Sequence, residues 1–231
     1  MNLFRFVLTL WLCVPLLAQA AFDACLDYFP KQQIPVTQTV DAQDLCFDGF
    51  AVLHSKTTKT PIYAVERLNK GRIQEVKGKK RTNRFYEEAR VPHEERARLE
   101  DYKGSGYDRG HVAPAGDMDT PAAMAHSFSL ANMVPQVAKH NRGVWNKIER
   151  DTRNYAMQAA GDVFVFTGPW YDPAKPAAYA GRVRVPDVLW KAVYDATTGQ
   201  TRVHWSENAE TVTPHALAYD EFVARTGLKV F

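Results

Sequence analysis

The segment 107–115 constrains this 231-residue chain more than any other, because it joins two chemically active side chains to a turn and a following helical pattern. Within it, one glycine separates Arg109 from His111, and turn-forming residues flank the pair. A neutral imidazole can take a proton from water near pH 7, because its unperturbed pKa is about 6.5. A guanidinium group grips a phosphate oxygen with a planar fork of donors. The pair therefore predicts phosphate chemistry.

Two further motifs follow Asp108-Arg-Gly-His, namely Asn132-x-x-Pro-Gln and Asn141-x-Gly-x-Trp-x-x-x-Glu149. In this order and at this spacing, the three motifs resemble the DNA/RNA non-specific endonuclease family, which has the ββα-metal (His-Me finger) fold. The resemblance extends from about residue 62 to the end of the sequence. It implies an α+β fold in which helices flank a mainly antiparallel central sheet.

The resemblance also implies roles for four polar residues near these motifs. His111 is the general base that activates water, and the alternative is a histidine buried in the core. Arg109 and Arg67 face the phosphate, although Arg67 lies in a less distinctive segment and could be a surface charge. Asn132 holds the backbone of the site or His111, and the alternative is an asparagine that caps a turn. We expect Asp108 to be structural, satisfying nearby backbone donors.

The motif on the predicted helix 139–160 implies a metal site. Asn141 is the direct protein ligand of a divalent cation, Mg²⁺ with Mn²⁺ as an alternative ion, and Glu149 contacts it through water. The two residues are eight positions apart, so they differ by about 80° around a helix axis and can share one side. The alternatives are a helix N-cap for Asn141 and an exposed surface carboxylate for Glu149.

A basic segment precedes the first motif. Its positive charges are Lys70, Arg72, Lys77, Lys79, Lys80, Arg81 and Arg84. We predict that Lys77, Lys79, Lys80, Arg81 and Arg84, together with Arg67, bind nucleic acid by neutralising phosphates. The alternative is a solvated loop, and the net charge of +3 is too small to decide between the two interpretations.

The first twenty residues predict a secretory signal. Arg5 is followed by an apolar run over residues 6–18, and Ala18-Gln-Ala20 forms a small-x-small cleavage site. The run is shorter than the ~20 residues that span a bilayer, which disfavours the alternative of an uncleaved anchor. The mature chain would start at Ala21, be exported to the periplasm or the medium, and carry no later transmembrane segment.

Cleavage would also remove Cys13 and leave Cys25 and Cys46 in an oxidising compartment, where two cysteines are more often paired than free. We therefore predict a Cys25–Cys46 disulfide, with two buried free thiols as the alternative. The absence of a Cys-x-x-Cys pair disfavours a zinc site built on cysteine.

The hydrophobic patterns give a coarse outline of secondary structure. We predict strands over residues 51–54, 62–68, 128–134, 163–167, 182–195 and 201–205. We predict helices over residues 94–99 and 139–160, and a last helix that Thr213 caps and Gly227 ends. Residues 21–60 cannot be placed with assurance against the family pattern.

Taken together, residues 21–231 are predicted to form one domain, an exported Mg²⁺-dependent endonuclease that cuts DNA and RNA with little sequence preference and leaves 5′-phosphate ends. Two alternatives stay open: a phosphodiesterase for another substrate, and a nucleic-acid-binding protein without catalysis. No Gly-x-Ser-x-Gly or Gly-Lys-Ser/Thr motif is found, which disfavours serine hydrolases and nucleoside triphosphatases. The biological role, an inhibitor partner and the oligomeric state are left open.

Overall fold

The central element of the fold is a sheet of seven strands, seen in a computed structural model that describes residues 21–37, 41–76 and 78–231. The strands along the chain are β1 (Ala42–Phe47), β2 (Phe50–Ser55), β3 (Thr60–Leu68), β4 (Asp108–His111), β5 (Met133–Gln136), β6 (Val163–Trp170), β7 (Tyr179–Ala180), β8 (Val183–Arg184), β9 (Val188–Asp195), β10 (Thr201–Glu207) and β11 (His215–Leu217). The large sheet has the order β1-β2-β3-β6-β9-β10-β11, and all its neighbours are antiparallel. The predicted α+β, mainly antiparallel fold is thereby confirmed.

The helices flank this sheet. They are α1 (Lys70–Val76), α2 (Leu99–Tyr102), α3 (Pro121–His126), α4 (Ala138–His140), α5 (Asn146–Gln158) and α6 (Tyr219–Thr226). A π-helical turn, Asn141–Trp145, joins α4 to α5, and short 3₁₀ turns occupy Ala21–Tyr28, Pro30–Gln32, Ala115–Asp117 and Leu130–Asn132. No helix in these described ranges is long and apolar enough to cross a membrane. The predicted signal and Lys77 lie outside the described residues.

Alternating side chains divide the sheet into two buried faces. On one face, Val52, Ala64 and Leu189 join the core that contains Trp145 and Ile148 of the long helical segment. On the opposite face, their strand neighbours pack against α6 and the first 3₁₀ turn; these neighbours are Ala51, Leu53, Tyr63, Val65, Val188 and Trp190. The strands are apolar on both sides because both faces of the sheet are covered.

A disulfide fastens the first described segment to the edge of the sheet. Cys25 in the 3₁₀ turn and Cys46 in β1 form the predicted bridge, and Cys25 is buried. Phe22 and Phe29 from the same segment enter the core beside Tyr63. The first part of the segment that the sequence could not place therefore covers one face of the sheet, and its later part supplies β1 and β2.

Two sequence predictions between residues 92 and 134 are wrong in detail. The helix expected over residues 94–99 instead begins after Arg98, because the backbone N–H of Arg98 donates to the Asp101 carboxylate at 2.8 Å and closes the first turn of α2. The strand expected over residues 128–134 is reduced to β5, because residues 130–132 form a tight turn that Ser129 caps.

The later elements also differ from their predictions. The strand expected over residues 182–195 is split into β8 and β9 around Pro186, which lacks a backbone donor. Thr213 does not start the last helix, because His215–Leu217 pairs with β10 as an edge strand and α6 begins at Tyr219. Gly227 ends that helix with a left-handed φ of 70°, as predicted.

Candidate active site

The site is built on a two-stranded ribbon followed by a helix. β4 and β5 are antiparallel, with His111 opposite Met133. Only Val137 separates β5 from the helical segment that begins at Ala138. Asn208 fixes this connection, because its Oδ1 accepts the Val137 backbone N–H at 2.8 Å while its Nδ2 donates to the carbonyl of Pro135 at 3.1 Å.

A polar cleft of about 520 Å³ lies between the ribbon, the helix and the segment that precedes β4. Five residues of the predicted site line it: Arg81, Arg109, His111, Asn141 and Glu149. Its other polar or aromatic lining residues are Asn83, Phe85, Asp108, Arg142, Asn146 and Arg153. The first and third sequence motifs thus meet in one cleft, and the buried second motif lies behind it.

His111 presents a neutral imidazole to this cleft. Its ring is buried, edge-on to Phe128 at 4.9 Å and 5.9 Å from Phe85 between ring centroids. Burial, assisted by the positive charge of Arg81, lowers the pKa of His111 to about 3. Its Nε2 atom has no hydrogen-bond partner among the described residues. The ring is therefore uncharged at neutral pH.

Asn141 is held by Asp108. The Asn141 Nδ2 atom donates to Asp108 Oδ2 at 2.9 Å, and Arg142 donates to the same carboxylate from Nε at 2.9 Å and Nη2 at 2.6 Å. Although partial burial opposes its charge, the hydrogen bonds from Arg142 and Asn141 keep the pKa of Asp108 below its usual range. Asp108 is structural as expected, but it satisfies side-chain donors rather than backbone donors. Because the hydrogen bond to Asp108 uses the Nδ2 atom of Asn141, the Oδ1 atom is the acceptor that this amide can offer to a ligand.

Asn141 is not the N-cap of a helix. Its backbone is right-handed helical, its N–H donates to Val137 at 2.9 Å, and it opens the π-helical turn that interrupts the predicted helix 139–160. Such turns are rare and occur frequently at functional sites.

Glu149 lies two turns further along, half-buried in the cleft. Close packing raises the pKa of its carboxyl group to about 7, with Lys191 opposing this shift and Asp117 reinforcing it. Beneath it, Lys191 is buried, donates to Thr167 Oγ1 at 2.6 Å, and lies near Glu66, a carboxyl group whose pKa burial raises well above its usual value. Lys191 and Glu66 are therefore buried ionisable groups that lie behind the cleft, close enough to act on one another.

Asn132 fixes the backbone just beyond His111. Its Oδ1 accepts from the Ala113 N–H at 2.8 Å, and its Nδ2 donates to the carbonyls of Ala113 and Ser127, both at 2.9 Å. Its backbone carbonyl accepts from Val112 at 3.0 Å. The side chain is fully buried and touches backbone rather than the imidazole.

Besides Arg142, which pairs with Asp108, three arginines supply positive charge to the cleft. Arg109 stacks over Phe85 with its guanidinium carbon 4.2 Å from the ring centroid, and Arg81 lies 5.1 Å from that of Phe128. Arg153, which the sequence reasoning missed, pairs with the buried Asp117 at 2.8 Å. Its position four residues after Glu149 could have revealed it, because residues four apart share one helix face.

The structure does not bring every predicted residue to the cleft. Arg67 near the end of β3 pairs with Asp162 at 3.2 Å and does not line it. Lys80 and Arg84 are exposed and Lys79 is half-buried on the segment that leads to Arg81. Arg72 is mostly buried and donates to the carbonyls of Gly49 and Arg67, so it belongs to the scaffold.

The ribbon, the helix and the cleft between them form the ββα-metal arrangement. Residues 31–228 match the DNA/RNA non-specific endonuclease family, and the chain belongs to that family, as its motifs predict. It is 36% identical over 129 residues to "Nuclease 1, mitochondrial" of Schizosaccharomyces pombe, an alignment that covers 55% of this chain and 40% of that protein.

Two further similarities agree with this assignment. The chain is 37% identical over 170 residues to "Nuclease" of Syncephalastrum racemosum, covering 71% of this chain and 52% of that protein. The chain spans about half the length of the curated relatives it matches. The fold is also that of a chain in a crystal structure of an EndoG/EndoGI complex, with a TM-score of 0.76 and 22% identity over 92% of this chain and 91% of that one.

Proposed function

We propose that this chain is an exported, Mg²⁺-dependent endonuclease that hydrolyses phosphodiester bonds in both DNA and RNA. The observation that carries this proposal is the convergence of three functional side chains in one cationic cleft. They are the imidazole of His111, the amide of Asn141 and the carboxyl group of Glu149.

His111 is the general base of the proposed reaction. Its imidazole is neutral at pH 7, so it can accept a proton from the attacking water. An anionic phosphate entering the cleft favours the protonated ring and raises the pKa of His111 from about 3. Asn132 supports this step by holding the backbone two residues beyond the imidazole.

Arg109, Arg81 and Arg153 neutralise the phosphate. All three line the cleft with His111, and cations fixed where charge develops stabilise the transition state. Arg81 takes the place that the sequence assigned to Arg67. The positive charge of Arg81 lowers the pKa of both His111 and Glu149, which supports a role for Arg81 beside these two residues.

The same cleft fits a divalent cation. Asn141 Oδ1 would hold the ion directly and Glu149 through water, and neutral or anionic oxygen atoms are the ligands that Mg²⁺ and Mn²⁺ accept. Within the described ranges, no group of three His, Cys, Asp or Glu side chains could form a tighter site. When bound, the cation supplies positive charge to the phosphate and to the departing 3′ oxygen, so that 5′-phosphate ends result.

The proposed substrate range follows from what the cleft offers. The arginines of the cleft, together with the exposed Lys80 and Arg84 near Arg81 in the chain, bind the phosphate backbone that DNA and RNA share. Sequence readout would need an element that docks in a groove of the nucleic acid. We therefore propose that double-stranded DNA, single-stranded DNA and RNA are all cut.

We propose export rather than the organelle location that the names of several relatives state. Residues 1–20 combine one arginine with an apolar run and a small-x-small site, whereas import signals of organelles are amphipathic and rich in arginine. N-terminal sequencing of the mature protein tests this, since export predicts a start at Ala21. A mature chain retaining the apolar run would contradict it.

The function is tested by digesting DNA and RNA with wild type and His111→Ala, each with EDTA and with EDTA plus excess Mg²⁺. We expect EDTA to stop cleavage, Mg²⁺ to restore it, and the substitution to reduce turnover by about 10²–10⁴-fold while the protein stays folded. Undiminished cleavage by folded His111→Ala would contradict the mechanism. Binding of nucleic acid without cleavage would favour a non-catalytic protein, and cleavage of other phosphodiesters alone would favour a different substrate.

A further inference from the structure

A chain of buried polar side chains lies behind Asn141. The imidazole of His140, the residue just before it, is buried and hydrogen-bonded on both nitrogens. Its Nδ1 is 2.8 Å from Gln136 Nε2 on β5, and its Nε2 is 2.8 Å from Ser206 Oγ on β10. Gln136 and Ser206 are also buried.

The hydrogen bonds assign the roles of these groups. An amide NH₂ group can only donate, so Nδ1 of His140 accepts from Gln136. Nε2 then carries the proton and donates to Ser206 Oγ. The ring also lies against Trp145, the last residue of the π-helical turn, at 5.7 Å between centroids. The His140 ring is therefore held in one orientation between β5 of the two-stranded ribbon and β10 of the seven-stranded sheet.

The side chain of Gln136 also packs against Gly110 on β4, the strand that ends at His111. A β-carbon added at Gly110 would lie 2.7 Å from Gln136 Cβ and closer still to Oε1, so only glycine fits at this position. Gln136 thus touches the residue before His111 on one side and the residue before Asn141 on the other.

We propose that His140 is a positioning residue that holds Asn141 at the cleft by anchoring the start of the π-helical turn to β5 and β10. Asp108 fixes the amide end of Asn141, whereas His140 fixes its backbone end. The inference rests on the proposed function, because it assigns His140 a role in cation binding. Partners behind metal ligands typically contribute 10–100-fold to metal affinity or activity.

The test compares His140→Leu, Ser206→Ala and His140→Gln with wild type. Mn²⁺ binding is measured by calorimetric titration without substrate, and DNA cleavage is measured against Mg²⁺ concentration. We expect His140→Leu to weaken Mn²⁺ binding and raise the Mg²⁺ midpoint by about 10-fold or more, with the KM for DNA at saturating Mg²⁺ nearly unchanged. Ser206→Ala should shift both in the same direction by less, and His140→Gln should recover part of the loss because it keeps a donor for Ser206.

His54→Leu is the matched control. His54 is a second buried histidine, located on β2 with its Nε2 3.2 Å from the carbonyl of Glu95, and it does not line the cleft. We expect this control to lower the melting temperature without changing Mn²⁺ affinity. The inference fails if His140→Leu does the same, or, should that variant not fold, if Ser206→Ala leaves Mn²⁺ affinity unchanged. Wild-type protein that neither binds Mn²⁺ nor cuts nucleic acid would instead contradict the proposed function itself.

Discussion

Removing the carboxylate of Asp108 should weaken metal binding while the protein stays folded. In Asp108→Ala, Asn141 loses the acceptor that fixes its amide, and Arg142 loses its ion-pair partner. The amide can then turn its NH₂ group toward the cation in place of Oδ1. Because Asp108 lies at the start of β4 and is half-buried, we expect the fold to persist.

The size of the effect can be estimated in two ways. A hydrogen bond to a charged group contributes about 1.5–3 kcal/mol, which is the preference for the correct amide orientation that Asp108 provides. Loss of a partner behind a metal ligand typically weakens metal binding by 10–100-fold, or about 1.4–2.7 kcal/mol. Both estimates predict that the Mg²⁺ concentration for half-maximal cleavage rises by one to two orders of magnitude, while turnover at saturating Mg²⁺ changes little.

The assay is DNA cleavage over a wide range of Mg²⁺ at constant ionic strength. Arg142→Gln is the control, because it removes the ion pair and leaves the bond between Asp108 and Asn141 in place. We expect its Mg²⁺ midpoint to stay near that of wild type. The reasoning is refuted if Asp108→Ala keeps the wild-type midpoint, or if Arg142→Gln reproduces the whole shift.

Three further predictions concern stability and binding. Replacing Cys25 and Cys46 by alanine should remove about 3 kcal/mol of unfolding free energy and lower the melting temperature by about 6–12 °C, with cleavage retained at low temperature; an unchanged melting curve would contradict this. Burial lowers the pKa of His54 to about 4, below the ~6.5 of an unfolded histidine, so its stabilising neutral form is complete above pH 6.5 and is lost as the pH falls toward 4. Denaturant unfolding at pH 7 and pH 4.5 should therefore show wild type losing roughly 2–3 kcal/mol more than His54→Gln, and equal losses would refute the assignment. Charge reversal at Lys79 and Lys80 should weaken DNA and RNA binding together and flatten the salt slope by about two, whereas weakening of one substrate alone would reveal a specificity element.

The sequence indicated which residues would share the candidate cleft, because they lie in short motifs whose local structure the fold preserves. His111, Asn141 and Glu149 all line one cleft. Arg67 was misplaced because strand position alone does not reveal that Asp162, far along the chain, binds its side chain. Arg81 was expected only as one charge in a basic run, because nothing local shows that the run turns back over Phe128.

The fold was predicted less evenly, for a related reason. Hydrophobic patterns located the buried strands 51–54, 62–68 and 163–167, which lie inside longer strands of the structure. The hydrophobic patterns failed where polar side chains close turns through local hydrogen bonds, as at Ser129 and Asp101. His215–Leu217 forms an edge strand because it pairs with β10. A local sequence pattern carries no information about that pairing.

The π-helical turn changes the angle around the helix axis between Asn141 and Glu149. In an uninterrupted α-helix, eight residues leave two side chains about 80° apart. Hydrogen bonds to the fifth residue widen the turn, and each residue then advances by roughly 15–20° less, so about four such steps bring the two side chains almost into line. Deleting Gly143 would restore a regular helix in which seven steps separate the two residues, about 20° from alignment, so the π-helical turn absorbs one extra residue and keeps Glu149 on the side of Asn141. A further residue inserted between 141 and 145 would rotate Glu149 by about 100° away from Asn141, so we expect such an insertion to reduce cleavage far more than the deletion of Gly143 does.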